Sequence, residues 1–236
     1  MQIDILTIFP EMFPPVLGAS ILKRAQESGR VEIAVHDLRN FTHDKRRTVD
    51  DRPYGGGPGM VMRPEPIFEA VEAIRARRGC QRHRAEGRGA CETILLSPDG
   101  ERLSAAVAEE LAARAHLLFI CGRYEGVDER VRTGLADRAL SIGDYVLAGG
   151  ELPAMVVIDA LARFIPGVIG HAQATEQESF ADGLLEYPQY TRPPVYRGMA
   201  VPQELQTGDH AQIAAWRKQQ ALAKTMNRRP DLQGRR

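Results

Sequence analysis

The chain has 236 residues, 43% of them hydrophobic and 26% charged, and its 31 Lys and Arg balance 31 Asp and Glu. These proportions are ordinary for a soluble globular protein and allow one large domain, or a domain with a small appendage, around a sizeable core. No apolar run approaches the length a membrane span needs, and Met1-Gln2-Ile3-Asp4-Ile5 has neither the basic region nor the cleavage site of a signal peptide, so a cytoplasmic location with no membrane partner is expected.

In chain order, Ile3 to Phe9 reads as a buried strand ended by Pro10. Glu11 to Ser28 has helical spacing interrupted at Pro14-Pro15, with Gly29 as a stop. Val31 to His36 alternates as a half-buried strand does. Pro64 to Arg78 returns to helical spacing with Ile67, Val71 and Ile74 on one face, and Gly79 to Gly89 is a polar loop. A second cycle follows: Thr93 to Ser97 as a strand, Pro98-Asp99-Gly100 as a turn, and a helix marked by Leu103, Val107 and Leu111. Leu117 to Cys121 is then a buried strand ending at Gly122. Leu140 to Ile142 is a brief strand before Ser141 to Pro153, whose glycines suit an exposed backbone loop feeding the apolar helix Ala154 to Ile165.

Strands alternating with helices imply an α/β domain with a mainly parallel sheet. In such sheets ligands bind beyond strand C-termini, so the loops at Gly100, at Gly122 and at Ser141 to Gly150 are expected to share one pocket. Pro166 to Gly183 reads as a linker, followed by a small helical region. There Asp209 caps a helix over about Ala211 to Met226, with Gln212 three residues on, and Trp216 serves as a packing anchor.

Three cysteines (Cys80, Cys91, Cys121) are too few and too irregular for a disulfide framework or a zinc site, and are expected as small core residues in a reducing compartment. Although net charge is zero, cations cluster at Lys45-Arg46-Arg47, from Arg75 to Arg88, and at Arg217, Lys218, Lys224, Arg228, Arg229, Arg235 and Arg236. Such clusters attract a polyanion even when distant acids cancel the sum. Gly55-Gly56-Gly57-Pro58-Gly59 lacks the Lys-Ser/Thr of a phosphate-binding Walker loop, no Gly-x-Ser-x-Gly occurs, and the histidines show no metal-binding spacing. Residue chemistry alone therefore ranks a nucleotide-binding α/β enzyme first and an RNA-binding module second.

The combination of motifs is more specific. Asp50-Asp51-Arg52-Pro53-Tyr54-Gly55-Gly56-Gly57-Pro58-Gly59-Met60 is followed by Leu96-Ser97-Pro98-Asp99-Gly100, Cys121-Gly122-Arg123-Tyr124-Glu125-Gly126-Val127-Asp128, and the Ser141 to Pro153 loop. Then come Ala162-Arg163-Phe164-Ile165-Pro166-Gly167, Ser179-Phe180-Ala181-Asp182-Gly183-Leu184-Leu185 and Tyr190-Thr191-Arg192-Pro193. In this order and spacing the chain closely resembles the bacterial tRNA (guanine-N1)-methyltransferases that act at tRNA position 37, a family of the trefoil-knot (SPOUT) superfamily.

The resemblance implies a deep trefoil-knot domain over 1–168, an interdomain linker over 169–185, and a helical tRNA-binding domain over 186–236. It implies a homodimer with its active site at the subunit interface and the tRNA anticodon loop as partner. S-adenosylmethionine would be held by Leu95, Leu96, Ser97, Pro98 and Gly100; by Gly122, Arg123, Tyr124 and Glu125; and by Ser141, Ile142, Gly143, Asp144, Tyr145, Val146, Leu147, Gly149, Gly150 and Pro153. Arg163 matches the arginine that supports negative charge on the guanine. Glu178 occupies the position of the family's aspartate base, with Asp182 as the alternative. Asp51, Tyr54, Gly55, Gly59 and Arg192 are expected on the tRNA, and Mg2+ is expected as a cofactor whose ligands no motif identifies. Besides Glu178, Leu95 stands where the family commonly has tyrosine, and Asp99 where it has glutamine.

Overall fold

The computed structural model describes residues 1–80, 91–170 and 178–234. The chain divides into two compact units, Met1–Gly170 and His171–Arg236. In the first, β1 (Gln2–Thr7) leads through the short helices α1 (Pro14–Leu17) and α2 (Ser20–Glu27) to β2 (Glu32–Asp37). A ribbon of β3 (Asp50–Asp51) and β4 (Val61–Met62) precedes α3 (Pro64–Arg78) and β5 (Cys91–Arg102). There follow α4 (Ala105–Ala112), β6 (His116–Cys121), α5 (Glu129–Gly134), β7 (Arg138–Ser141) and α6 (Glu151–Ala162). Five strands form one sheet in the order β2-β1-β6-β5-β7, with every pairing parallel.

Side chains on a strand alternate between faces, and here both faces are covered. Ile3 and Ile5 of β1, Leu117 and Phe119 of β6, and Ile94 and Leu96 of β5 pack with α2, α4 and α6. The intervening Leu6, Leu118, Ile120 and Leu95 pack with α3 and α5, where Ile67, Val71 and Ile74 form the apolar face expected from their spacing.

Several local expectations are corrected. Pro14 and Pro15 start α1 instead of interrupting a helix, because first-turn positions have no intrahelical N–H bond to lose. Pro98-Asp99-Gly100 is not a turn after a strand: it lies inside the long strand β5, at a register shift against β7 between Leu96 and Glu101. Gly100 permits this, since a Cβ there would lie 2.6 Å from the Ala139 carbonyl carbon. The six-residue α5, opened by the Asp128 side chain accepting from the Arg130 N–H at 2.9 Å, is too short for a periodic pattern to announce.

The cysteine expectation is corrected as well. Cys80 and Cys91 are joined by a disulfide, and only Cys121 is a free core cysteine. Gly79, left-handed at φ 66°, ends α3 and turns the chain so that Cys80 N–H reaches the Arg75 carbonyl at 2.8 Å. Within the expected polar loop Gly79 to Gly89, residues 81–89 lie outside the described residues, as do 171–177 of the expected linker and Arg235 and Arg236 of the basic cluster.

In the second unit, α7 (His210–Arg228) follows a ribbon of β8 (Val195–Tyr196) and β9 (Met199–Ala200), so this region is not purely helical. Asp209 caps α7 by accepting from the N–H groups of Ala211 and Gln212. Half-buried Trp216 packs beside Tyr190 with ring centroids 6.3 Å apart. Thr225 fixes the preceding chain to this helix by accepting from the Leu185 N–H at 2.8 Å.

At the N-terminal edge of the sheet, Asp4 is only 1% exposed. It accepts from Arg78 Nε at 2.9 Å, His116 Nε2 at 2.8 Å and His36 Nε2 at 2.5 Å. Burial opposes its charge, but these hydrogen bonds outweigh it and hold the carboxyl well below the usual carboxylate range. Asp4→Ala would strand buried donors and should lower stability to urea by about 3 kcal/mol at neutral pH. Because the folded-state pKa is depressed, the Asp4 contribution is present above the unfolded carboxylate's value of about 3.9 and is lost as pH falls below it. The gap between the parent and Asp4→Ala should therefore narrow in acid.

Candidate functional site: a cleft of three backbone loops

One cleft of about 410 Å³ opens at the C-terminal edge of the sheet, formed by the β5 irregularity, the loop after β6 and the loop after β7. Its size suits a small organic ligand. Of the expected cofactor residues, Leu95, Leu96, Ser97, Pro98, Gly122, Arg123, Tyr124 and Glu125 line it. So do Ser141, Ile142, Gly143, Tyr145, Val146, Leu147, Gly149, Gly150 and Pro153. Gly100 and Asp144 do not: Gly100 packs against the β7 backbone, and Asp144 is directed to Arg102, 4.0 Å away. Asp99, Gly126, Val127, Glu129, Arg132, Leu140 and Ala148 complete the lining beyond the expected set.

The walls meet backbone to backbone. Gly150 N–H donates to the Gly122 carbonyl at 2.8 Å, and Arg123 and Gly149 form an antiparallel bridge. A Cβ on Gly150 would lie 2.8 Å from Cys121 Cα and 3.1 Å from Gly122 N, so no larger residue fits without separating the loops. Ser141 closes its own loop: its hydroxyl donates to the Gly143 carbonyl at 3.0 Å and accepts from the Gly143 N–H at 3.2 Å. Tyr145, Val146 and Leu147 stand exposed on the rim.

Beneath the cleft lies a charged anchor that the sequence reading missed. Glu151, 1% exposed at the first turn of α6, accepts from Thr7 Oγ1 at 2.8 Å and from Arg123 Nε at 2.9 Å. The Arg123 guanidinium also lies 4.5 Å from the Phe9 ring centroid. An acid immediately before an apolar helix was the available signal, since a carboxylate is favourable there only with donors and a helix N-terminus to receive it. On the other side of the cleft, Arg132 donates to both Asp99 oxygens at 2.7 and 3.0 Å, and Ser97 Oγ donates to Asp99. The Ser97 bond, and then Arg132, draw the Asp99 carboxyl below its ordinary range. Asp99 thus stays an acceptor bound to the wall.

The expected tRNA loop adjoins the cleft. Glu125 N–H donates to the Met60 carbonyl at 2.9 Å, Met62 N–H to Gly126 at 2.9 Å, and Asp128 N–H to Met62 at 3.0 Å. Gly59 is favoured by its left-handed backbone at φ 83°, and the Glu125 side chain lies over the space a Cβ would take. Gly55 shares the left-handed backbone, Tyr54 is fully exposed, and Asp51 is exposed at the end of β3.

The remaining expected residues do not line the cleft. Arg163 caps the C-terminal end of α6, whereas the cleft meets the helix at Gly150 and Pro153. At 1.5 Å rise per residue, that leaves roughly 15 Å of helix between them. Half-buried Glu178, exposed Asp182 and exposed Arg192 belong to the second unit. At the opposite edge of the sheet from the cleft, His116 lies beside Cys80 and Cys91, whose sulfurs are joined to each other. Gly150→Ala should destabilise the protein by about 2 kcal/mol through overpacking, measured by thermal unfolding.

The family model described as tRNA (Guanine-1)-methyltransferase TrmD matches residues 1–235. The chain is 55% identical over 232 residues to the tRNA (guanine-N(1)-)-methyltransferase of Moorella thermoacetica, covering 98% of this chain and 90% of the relative. It is 54% identical to the protein of the same name from Dictyoglomus turgidum, covering 98% and 89%, and 56% identical to that of Chloroflexus aurantiacus, covering 98% and 88%. With agreement over essentially its full length, the chain belongs to the tRNA (Guanine-1)-methyltransferase family.

Proposed function

We propose that this protein transfers a methyl group from S-adenosylmethionine to N1 of the guanine at position 37 of tRNA. The observation that carries this reading is the family match over residues 1–235, on a chain whose motif loops enclose a ligand-sized cleft. The cleft suits the cofactor chemically. Its glycine-bounded walls present backbone N–H and C=O groups to a flat heteroaromatic ring, and Gly149 and Gly150 let those walls pack closely against Arg123 and the backbone of Cys121 and Gly122. Bound there, S-adenosylmethionine supplies a methyl group already activated by its sulfonium.

The chain's residues then have two tasks, positioning and proton management. Guanine N1 carries a proton at neutral pH, and in this reading Glu178 accepts it, with Asp182 as the alternative acceptor. Negative charge develops toward O6, where the Arg163 guanidinium supports it. Asp51, Tyr54, Gly55 and Gly59 hold the target base, which leaves its stack more readily from a looped RNA, and Arg192 meets phosphate. Mg2+ stays part of the reading inherited from the family. The described residues present no carboxylate cluster for it, and no step is assigned to it.

We read the active protein as a homodimer with its site at the subunit interface. The separation of Arg163 from the cleft along α6 supports this, because a second copy is then needed to complete the site. Exposed Val16 on α1, and Leu152 and Val156 one turn apart on α6, offer apolar surface for such a contact. The reading includes a deep trefoil knot, supported by Leu103 N–H reaching the Ser141 carbonyl at 2.8 Å and by the docking of Gly150 on Gly122. It also includes a methyltransferase domain over 1–168, a linker over 169–185, a tRNA-binding domain over 186–236, and a cytoplasmic location. No helix among the described residues is long and apolar enough to cross a membrane.

Labelled methyl transfer to transcripts differing only at position 37 should occur with guanine there and fall to background without it; equal labelling would overturn the specificity. Glu178→Ala should lower kcat about a hundredfold or more. Near-full turnover in that variant with loss in Asp182→Ala would move the base to Asp182. Refolding Arg163→Ala together with Gly150→Ala should restore activity that neither has alone, since the mixed dimer regains one complete site.

A further inference from the structure

The Cys80–Cys91 pair lies at the end of the sheet away from the cleft, and methyl transfer makes no use of it. Parallel pairing of β5 with β6 sets Cys91 beside His116 in register, while the Gly79 turn swings Cys80 in from the end of α3. His116, 3% exposed, has Nδ1 3.2 Å from Cys80 Sγ and Nε2 2.8 Å from Asp4 Oδ2. Ionised Asp4 only accepts hydrogen bonds, so Nε2 carries the proton and Nδ1 turns its lone pair toward the sulfur. A thiol, a ring nitrogen facing it and a buried carboxylate orienting the ring make the arrangement that activates a nucleophilic cysteine. The two cysteines are half-buried, within reach of small molecules. Cys121 is an internal contrast: burial, then the nearby Glu151 charge, push its thiol well above the ordinary value.

We propose that Cys80, Cys91, His116 and Asp4 form a peroxide-reactive thiol–disulfide site, with Cys80 as the attacking thiol and Cys91 as its resolving partner. In the reduced protein, Cys80 passes its proton to His116 Nδ1 and its thiolate attacks a peroxide oxygen. The O–O bond breaks, Cys80 becomes a sulfenic acid, and the leaving hydroxide takes the proton from His116 as water. The Cys91 sulfur then attacks the sulfenic sulfur, the S–S bond forms, and the departing hydroxide leaves as water with the Cys91 proton. Two electrons pass from the thiol pair to the peroxide, and a small dithiol returns them. In a reducing compartment, such a bond forms in response to oxidant.

The test uses the full chain, reduced and freed of reductant, with hydrogen peroxide. Intact mass should fall by two hydrogens, with peptides linking Cys80 to Cys91 and Cys121 still free. In Cys91→Ser, Cys80 should instead be trapped as a sulfenic acid by dimedone, roughly tenfold or more faster than in the urea-unfolded chain. Adding His116→Gln to that variant should remove the advantage while Cys121 remains unreactive, showing that the fold is retained. The proposal fails if folded Cys80 reacts no faster than in the unfolded chain, or if His116→Gln leaves the rate unchanged. Should His116→Gln expose Cys121, the comparison of folded with unfolded Cys91→Ser decides alone.

Discussion

The whole cleft depends on Gly150 lying against the backbone of Cys121 and Gly122. Where a Cβ would sit, the Cys121 Cα is 2.8 Å away, and the Gly150 N–H reaches the Gly122 carbonyl at the same distance. That contact closes the loop after β7 over the loop after β6 and fixes the point at which α6 begins. Backbone groups on both walls then have their positions set by a contact that tolerates no side chain, so the cavity is formed before any ligand arrives.

Close packing of two loops also brings charges together, and the fold satisfies them underneath. Glu151 enters the interior only because Thr7, Arg123 and the first turn of α6 receive it. A buried ion pair of this kind adds little net stability, but losing one partner leaves an uncompensated charge. Its main effect is positional: it ties β1, the loop after β6 and α6 together below the cleft. Asp4 does the corresponding work at the other edge of the sheet, joining β1, β2, β6 and α3.

The features legible in the sequence are those encoded locally. Val31 to His36, the apolar run Leu117 to Cys121 and the spacing of Ile67, Val71 and Ile74 identify elements because their apolar residues mark the surfaces each element packs into the core. The glycine loops identify the cleft because glycine marks close approach. Features set by register were not legible. Pro98-Asp99-Gly100 has the composition of a turn, yet it lies inside β5, bulged out where Leu96 and Glu101 both pair with Leu140. Cys80 and Cys91 look unrelated along the chain, and only the pairing of β5 with β6 and the Gly79 turn bring them together. Arg163 shows the same limit, since the role proposed for it comes from its motif while a single chain leaves it at the far end of α6 from the cleft.

Gly59 and Glu125 carry a consequence for how this sequence varies over time. The glycine occupies space that the glutamate side chain claims, and the two segments are stitched by Glu125 N–H to Met60. Alanine at 59 would hold a left-handed backbone that L-residues rarely adopt and would require the exposed Glu125 side chain to swing aside. A smaller residue at 125 would remove the contact and leave the backbone strain at 59 in place. Variation at 59 is therefore limited first by its own backbone conformation, whatever side chain stands sixty-six positions further along the chain.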